Sequence, residues 1–248
     1  MRNIRIYVNQ PLALQEALTL DERPSHYLMH VLRLRENDHV HAFNGLGGCY
    51  VARISGISRR GVSIVPQEFI DEERESGLDL TLAHGIARGQ RMDFTIQKAV
   101  ELGVNRIVPL LTEHGQVRVR AEKKDTRLKH WRGVVISACE QCGRNRIPVI
   151  DRPVPLDQWA TSDGNGVKLV LQPGAGQPLG ALDVQPAAVT LLCGPEGGFS
   201  VADLKQATDH GYLTVSLGPR ILRTETAAVA ALALCQSLWG DLNSSSIC

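Results

Sequence analysis

The stretch LLCGPEGGFS, Leu191 to Ser200, ends an apolar run in three glycines, a proline and a carboxylate within five residues. The run before it, AVTLLCG, is short and nearly continuously apolar, as a strand buried on both faces is. The segment after it, SVADLKQATDHG, is predicted as a helix capped by Ser200 and stopped at Gly211. Strand, glycine loop and helix in succession form the repeating unit of an α/β fold with a parallel sheet. In such sheets ligands bind beyond the carboxyl ends of the strands.

Working outward, the same alternation holds over most of the chain. LDLTLAHGI, RIVPLL, VKLVLQ and LTVSLG are predicted as strands. QRMDFTIQKAVELG is predicted as a helix with Phe94, Ile96, Ala99, Val100 and Leu102 facing inward. AEKKDTRLKHWRGVVISACEQCG and TETAAVAALALCQSLWG are two further helices, the latter capped by Thr224. The first 70 residues differ. HVHAF, GCYVARISGI and GVSIVPQEFI are short β-rich runs separated by the turn sequences NGLGG and SRRG, which suggests a small barrel or sandwich. One helix, PSHYLMHVLRL, precedes them, with Ser25 as cap and Tyr27, Leu28, Val31, Leu32 and Leu34 on its apolar side. The polar stretch DEERESG, 71–77, is predicted to be a linker or hairpin loop, so the domains divide as 1–72 and 73–248.

Composition sets the class. The chain has 248 residues, 43% hydrophobic and 21% charged, with a net charge of +1. These are ordinary values for a globular protein, so a nucleic-acid site must arise from local clustering rather than from overall charge. No apolar run approaches the roughly 18 residues of a membrane span, and the N-terminus mixes charges too freely for a signal peptide. The expectation is a cytoplasmic protein without a membrane partner. Six cysteines are scattered through apolar or helical contexts, which fits a reducing compartment. Cys139 and Cys142 form a C-x-x-C with no second pair to complete a zinc site. They are expected to be packing cysteines, a redox pair being the alternative. The eight histidines have no metal-ligand spacing.

Three loops marked by glycine or proline follow predicted strands: LQPGAG, GPEGGFS and LGPRILR. Each alone is explained by turn geometry; together they point to a shared pocket. The Walker and dinucleotide patterns are both absent, and Glu196 within the loop would repel a polyphosphate. A neutral or cationic ligand with ribose hydroxyls suits the loop better, and S-adenosylmethionine (SAM) carries a sulfonium, an ammonium and an adenosine. Gly194, Gly197 and Gly218 are expected to need positive φ or the absence of a Cβ.

LLCGPEGGFS, LGPRILRTETA and IQKAVELGVNRIVPL together resemble the RsmE-type ribosomal RNA methyltransferases of the SPOUT superfamily. HYLMHVLRLRENDHVHAFNGLGGCYVARI resembles that family's RNA-binding PUA-like barrel. The resemblance implies an α/β protein: a C-terminal SPOUT domain with a parallel sheet and a trefoil knot, plus a small N-terminal PUA-like β-barrel. It implies a homodimer that uses SAM to methylate N3 of a uridine in small-subunit ribosomal RNA, either free or in the assembled subunit. Carried over to this sequence, the cofactor contacts are Leu171, Gln172 and Pro173, then Gly194, Glu196 and Gly197, then Leu217, Gly218, Ile221 and Leu222. Apolar side chains would sandwich the adenine while backbone groups read its edge.

Arg220 and Arg223 share a turn at a helix N-terminus, where the helix dipole disfavours cations. Arg220 is therefore a candidate for the target base and Arg223 for RNA. EQCGRNR resembles another family block, which makes Arg144 a base or phosphate contact near a partner's pocket; a favourable charge at a helix C-terminus is the alternative. Arg118 and Arg120 open a run with seven Lys/Arg against two acids, ending at Arg132. This run is either a solvated face or a phosphate-tracking stripe. Arg33 and Arg35, with Arg53, Arg59 and Arg60, form a second candidate patch. Uridine N3 is protonated at neutral pH, so the reaction needs stabilisation of an imidate anion, a base, or both. Arg220 or Arg144 could stabilise the charge. Glu196, Glu140 or solvent could take the proton. A catalytically silent RNA-binding or ribosome-assembly factor, a 2′-O-methyltransferase, and a small-molecule enzyme using a purine nucleotide remain the alternatives.

Overall fold

The computed structural model describes residues 4–115, 121–160 and 166–243. They form two compact units. One comprises Met1–Glu75 together with Cys139–Ile147, and the other Ser76–Ala138 together with Pro148–Cys248. The sequence reading places one boundary at 72/73. It carries no sign that 139–147 groups with the N-terminal unit.

The first unit holds β1 (Arg5–Tyr7), β2 (Leu18–Thr19), α1 (Glu22–His26), β3 (His39–Phe43), β4 (Cys49–Ser58) and β5 (Gly61–Ile70). Its sheet runs β1-β3-β4-β5-β2, with β1 parallel to β3 and the other pairs antiparallel. The long hairpin β4–β5 matches the two sequence runs read as strands. Alternation along β3 buries Val40 and Ala42 against Ile6, Leu28, Ile54 and Ile64. Among the described residues the pairing is an open path rather than a closed barrel. The end strands β1 and β2 are only three and two residues long.

The predicted helix 24–34 is instead α1 followed by a π turn, Tyr27–Val31. Ser25 is not its cap. Its hydroxyl donates to the Leu20 carbonyl at 3.0 Å and accepts from the Val62 N–H at 3.0 Å, joining the helix to β5. Such a bond satisfies two buried backbone groups that a cap would have left alone.

The acidic stretch read as a linker is bonded at Glu72, Glu73 and Glu75. Glu75 takes both Nε and Nη2 of Arg144, a side chain only 4% exposed, with Nε 3.0 and 3.1 Å from the two carboxylate oxygens. Glu73 lies 3.6 Å from Arg146, and the Glu72 carbonyl accepts from Asn145 at 2.6 Å. Asn145 in turn accepts from Arg5, and Glu140 accepts from the Tyr7 N–H and from Arg23, each at 3.0 Å. Cys139 is buried here, its thiol pushed up to about 12 chiefly by burial, which suits a packing role.

The second unit contains β6 (Asp79–Gly85), α2 (Gln90–Glu101), β7 (Arg106–Leu111) and most of α3 (Ala121–Cys142). There follow β8 (Val149–Ile150), β9 (Val154–Pro155), α4 (Leu156–Ala160), β10 (Val167–Leu171), β11 (Gln177–Pro178) and β12 (Ala188–Cys193). α5 (Val201–Asp209), β13 (Leu213–Ser216) and α6 (Thr224–Trp239) complete it. Every pair in its sheet is parallel, in the order β11-β13-β10-β12-β6-β7-β8, with β9 also on β7. Buried Leu80, Leu82, Ile107, Val170, Leu191 and Val215 make the continuous apolar strands expected of a sheet covered on both faces.

The α5 entrance is a full capping box: Ser200 and Asp203 exchange side-chain-to-backbone bonds at 3.0 Å. Two sequence expectations fail. Phe94 is 45% exposed, because α2 turns Met92, Ile96, Ala99 and Val100 inward. Thr224 does not cap α6; Arg223 occupies the N-cap position without a side-chain bond, and Thr224 points into the unit. The segments β8, β9, β11 and α4 are too short for periodicity to reveal.

Truncating Glu75 to Ala strands a buried guanidinium and is expected to cost about 3–5 kcal/mol. Arg23→Ala, which removes a half-exposed partner of Glu140, should cost below about 1 kcal/mol. Urea unfolding of the two variants measures the contrast.

Candidate active site

Because the sheet is parallel, the ends of β10, β12 and β13 lie side by side, and their loops converge. They line a cavity of about 630 Å³ in the second unit, within the usual range for small-molecule sites. Leu171, Gln172 and Pro173 come from the first loop, and Gly194 to Phe199 from the second. Leu217, Gly218 and Arg220 to Arg223 come from the third, followed by Thr224, Glu225 and Ala227 of α6. All ten residues carried over as cofactor contacts are among the lining. So are Arg220 and Arg223.

The glycines meet the stated geometric demand in different ways. Gly218 has φ +80°. A Cβ on Gly194 would press on Gly198 and Phe199 at 3.3 Å, and one on Gly197 would lie 2.9 Å from the His114 carbonyl. Gly85, which sequence reasoning passed over, is more constrained: a Cβ there would collide with the Pro195 ring. Pro195 and Gly198 close the loop with a backbone bond of 2.9 Å.

The polar floor of the cavity is built around Arg91. Glu196 Oε1 accepts from the Arg88 N–H at 2.9 Å and from Arg91 Nη1 at 3.0 Å. Arg91 Nε lies 4.0 Å from Glu225 Oε1. The remaining carboxylate oxygens, Glu196 Oε2 and Glu225 Oε2, are buried with no hydrogen-bond partner among the described residues. Burial, the largest effect on Glu196, pushes its carboxyl up. The bonds from the Arg88 N–H, from its own N–H and from Arg91 together outweigh burial and hold it below its ordinary value. Beneath the floor sits His84, 0% exposed at the end of β6. Its Nδ1 is 2.6 Å from the Gly85 carbonyl and its Nε2 is 3.2 Å from the Thr224 hydroxyl, which also bonds the Gly194 carbonyl.

By contrast, Arg220 and Arg223 are exposed at the rim, and Ile221 is 87% exposed. The site therefore has an acidic interior and a basic edge. Glu140 and Arg144 are not part of the lining; they belong to the first unit, in the ion pairs described above. Arg33 and Arg35 are exposed in that unit, and Arg118 and Arg120 fall outside the described residues. Arg91 and His84 lie outside the quoted motif blocks, and Glu225, inside LGPRILRTETA, read only as a charge that complements the helix dipole.

Arg91→Ala is expected to raise the Glu196 carboxyl. The stability that Glu196 contributes is present above the unfolded value of about 4.3 and is lost as pH falls through its lower folded value. Carboxyl-carbon NMR of Glu196 across acid pH, with and without Arg91, measures both the direction and the shift.

Comparison with known proteins places these features in a family. Residues 74–236 match the RNA methyltransferase domain, and residues 20–67 the RNA methyltransferase PUA domain. A ribosomal RNA small subunit methyltransferase E from Buchnera aphidicola subsp. Schizaphis graminum is 35% identical over 240 residues, 96% of this chain and 98% of that protein. Among solved structures, a methyltransferase from Legionella pneumophila with bound SAM superimposes with a TM-score of 0.94 at 39% identity, covering 98% of this chain and 100% of that one. The ribosomal RNA small subunit methyltransferase E of Neisseria gonorrhoeae bound to SAM gives 0.89 at 34% identity, covering 97% and 100%.

Proposed function

We propose that this chain, which belongs to the ribosomal RNA small subunit methyltransferase E family, methylates N3 of a uridine in small-subunit ribosomal RNA using SAM. The observation that carries the reading is the charge layering of one cavity. Two carboxylates with unpartnered oxygens lie inside, and two exposed arginines stand at the rim. The interior suits a cationic ligand with N–H and O–H donors. The rim suits the polyanion that must approach it.

The residues present fit the cofactor. Leu171, Leu217 and Leu222 offer apolar surface for an adenine, and the glycine loops expose backbone donors and acceptors. Glu196 and Glu225 offer the acceptors. When bound, SAM supplies an electrophilic methyl group on a sulfonium.

The chain's own task is to hold the target base and ease loss of its N3 proton. Arg144 is committed to Glu75, so stabilisation of the uracil's negative charge falls to Arg220. Glu196 is held ionised by three donors, and Glu140 is bonded to Arg23 and Tyr7. Glu196 is thereby a poor base and Glu140 is not among the residues lining the cavity, so water takes the N3 proton. The freed N3 lone pair then forms the bond to the methyl carbon as the carbon–sulfur bond breaks, its electrons passing to sulfur. N3 lies on the pairing edge, so the base enters unpaired. The N-terminal unit and its exposed Arg33 and Arg35 bind RNA in this reading, as do Arg223 and the basic run that begins with Arg118 and Arg120. The reaction belongs in the cytoplasm, on free RNA or the assembled subunit.

Two structural proposals accompany the function. The order β13-β10-β12 puts β13 beyond β10, yet α6 packs back on β12 and α2. We read this return as threading of the C-terminal segment through a loop, the trefoil knot of the SPOUT fold. α6 also keeps Leu234 and Leu238 exposed one turn apart, with Leu242 beyond its end. We assign that stripe to the interface of a homodimer. Sedimentation at micromolar concentration should give a dimer; a monomer would remove the interface.

N3 methylation blocks pairing, so reverse transcriptase should stop one nucleotide before the modified base in small-subunit RNA from cells carrying the protein. Deletion should remove the stop, and Arg220→Ala should slow methyl transfer in vitro by about a hundredfold to a thousandfold. A stop that survives deletion refutes the assignment. Loss of a 2′-O-methyl signal instead would keep the cofactor site and change the target atom.

A further inference from the structure

His84, Thr224 and the Gly194 and Gly85 carbonyls form a buried chain of three contacts. These are Nδ1 to Gly85 O at 2.6 Å, Nε2 to Thr224 Oγ1 at 3.2 Å, and Thr224 Oγ1 to Gly194 O. Counting protons along it exposes a conflict. Both carbonyls can only accept, so the first contact needs a proton on Nδ1 and the third needs the hydroxyl proton of Thr224. The middle contact then needs a proton on Nε2. All three bonds coexist only if both ring nitrogens are protonated. A neutral ring that keeps its proton on Nδ1, for the 2.6 Å bond to Gly85 O, leaves Thr224 one proton for two acceptors, and either Nε2 or Gly194 O loses its bond. His84 is 0% exposed and Thr224 is 8% exposed, so water is a poor substitute.

We propose that His84 is a positioning residue of the cofactor pocket, which through the Thr224 hydroxyl couples one proton to the availability of the Gly194 carbonyl and so to SAM affinity. Protonation commits the hydroxyl to Gly194. Deprotonation turns it to Nε2 and frees the Gly194 O lone pair that it occupied, so the carbonyl accepts more strongly from the ligand. Affinity therefore falls as pH falls.

The surroundings allow both states. Glu196 on the β12 loop and Glu225 on α6 favour the charged ring. Arg91 of α2 pairs with Glu196 and approaches Glu225. Burial dominates and lowers the His84 value, while burial pushes the neighbouring Cys193 thiol up and keeps it neutral. His84 is thus neutral near pH 7, and it takes up its second ring proton only below the ordinary imidazole range.

The inference rests on the cofactor reading above, and the test separates the two. SAM is titrated calorimetrically into the full chain between pH 8 and pH 5, using wild type, His84→Asn, Thr224→Val and Thr224→Ser. Wild type and Thr224→Ser should weaken on the order of tenfold toward pH 5, a usual size for such coupling. His84→Asn and Thr224→Val should lack that component. A full pH response in Thr224→Val overturns the hydroxyl route, and one in His84→Asn overturns the role of His84. Absence of SAM binding by wild type at pH 8 would instead overturn the cofactor reading. Should His84→Asn fail to fold, the ring-proton NMR titration of wild-type His84 decides: SAM must lower its midpoint, and an unchanged midpoint defeats the proposal.

Discussion

The architecture of the site depends on how closely Pro195 lies to Gly85. β6 and β12 are register neighbours, with Cys193 opposite His84. The chain leaving β12 must therefore pass directly over the end of β6. No side chain fits at position 85 beneath the proline ring. With the loop seated there, Glu196 reaches the Arg88 N–H and Arg91, and the Gly194 carbonyl comes within reach of Thr224. One missing Cβ thus fixes the floor of a cavity whose walls come from three other segments.

That floor is arranged by charge. Arg91 sits between two carboxylates but satisfies only part of each, leaving one buried oxygen on Glu196 and one on Glu225. A buried acceptor without a donor is costly in isolation and becomes favourable when a ligand supplies the donor. The rim arginines have the opposite sign and stand in solvent, where they act over about a Debye length. Acid within and base outside let one cavity accept a cation and still be approached by a polyanion.

In the first unit, three residues of a stretch that looked like a linker, Glu72, Glu73 and Glu75, are bound to Asn145, Arg146 and Arg144. A buried Arg144–Glu75 pair is tolerable because the bidentate geometry returns much of the desolvation cost. The block containing Arg144 resembles a family motif, which suggested a base or phosphate contact or else a favourable charge at a helix C-terminus; in the structure its guanidinium pairs with Glu75.

Period and turn chemistry alone determined the parallel α/β layout, the β4–β5 hairpin, the Ser200 cap of α5 and the three converging loops. These depend on neighbours a few residues apart, and LLCGPEGGFS carries several of them at once. Only the tertiary structure decided the rest. Gly85, Arg91 and His84 acquire roles from partners roughly 100 or more residues away, so no local spacing marks them. Ser25 and Thr224 looked like caps by sequence, but each bonds a different element, because a buried hydroxyl satisfies whatever unpaired group the packing brings to it. Phe94 lay on the expected apolar side and faces out, because the packing of α2 against its neighbours sets its rotation. The sequence determined which segments would meet at the sheet edge; the fold decided which of their polar atoms would be left without partners, and that is a property of three-dimensional proximity.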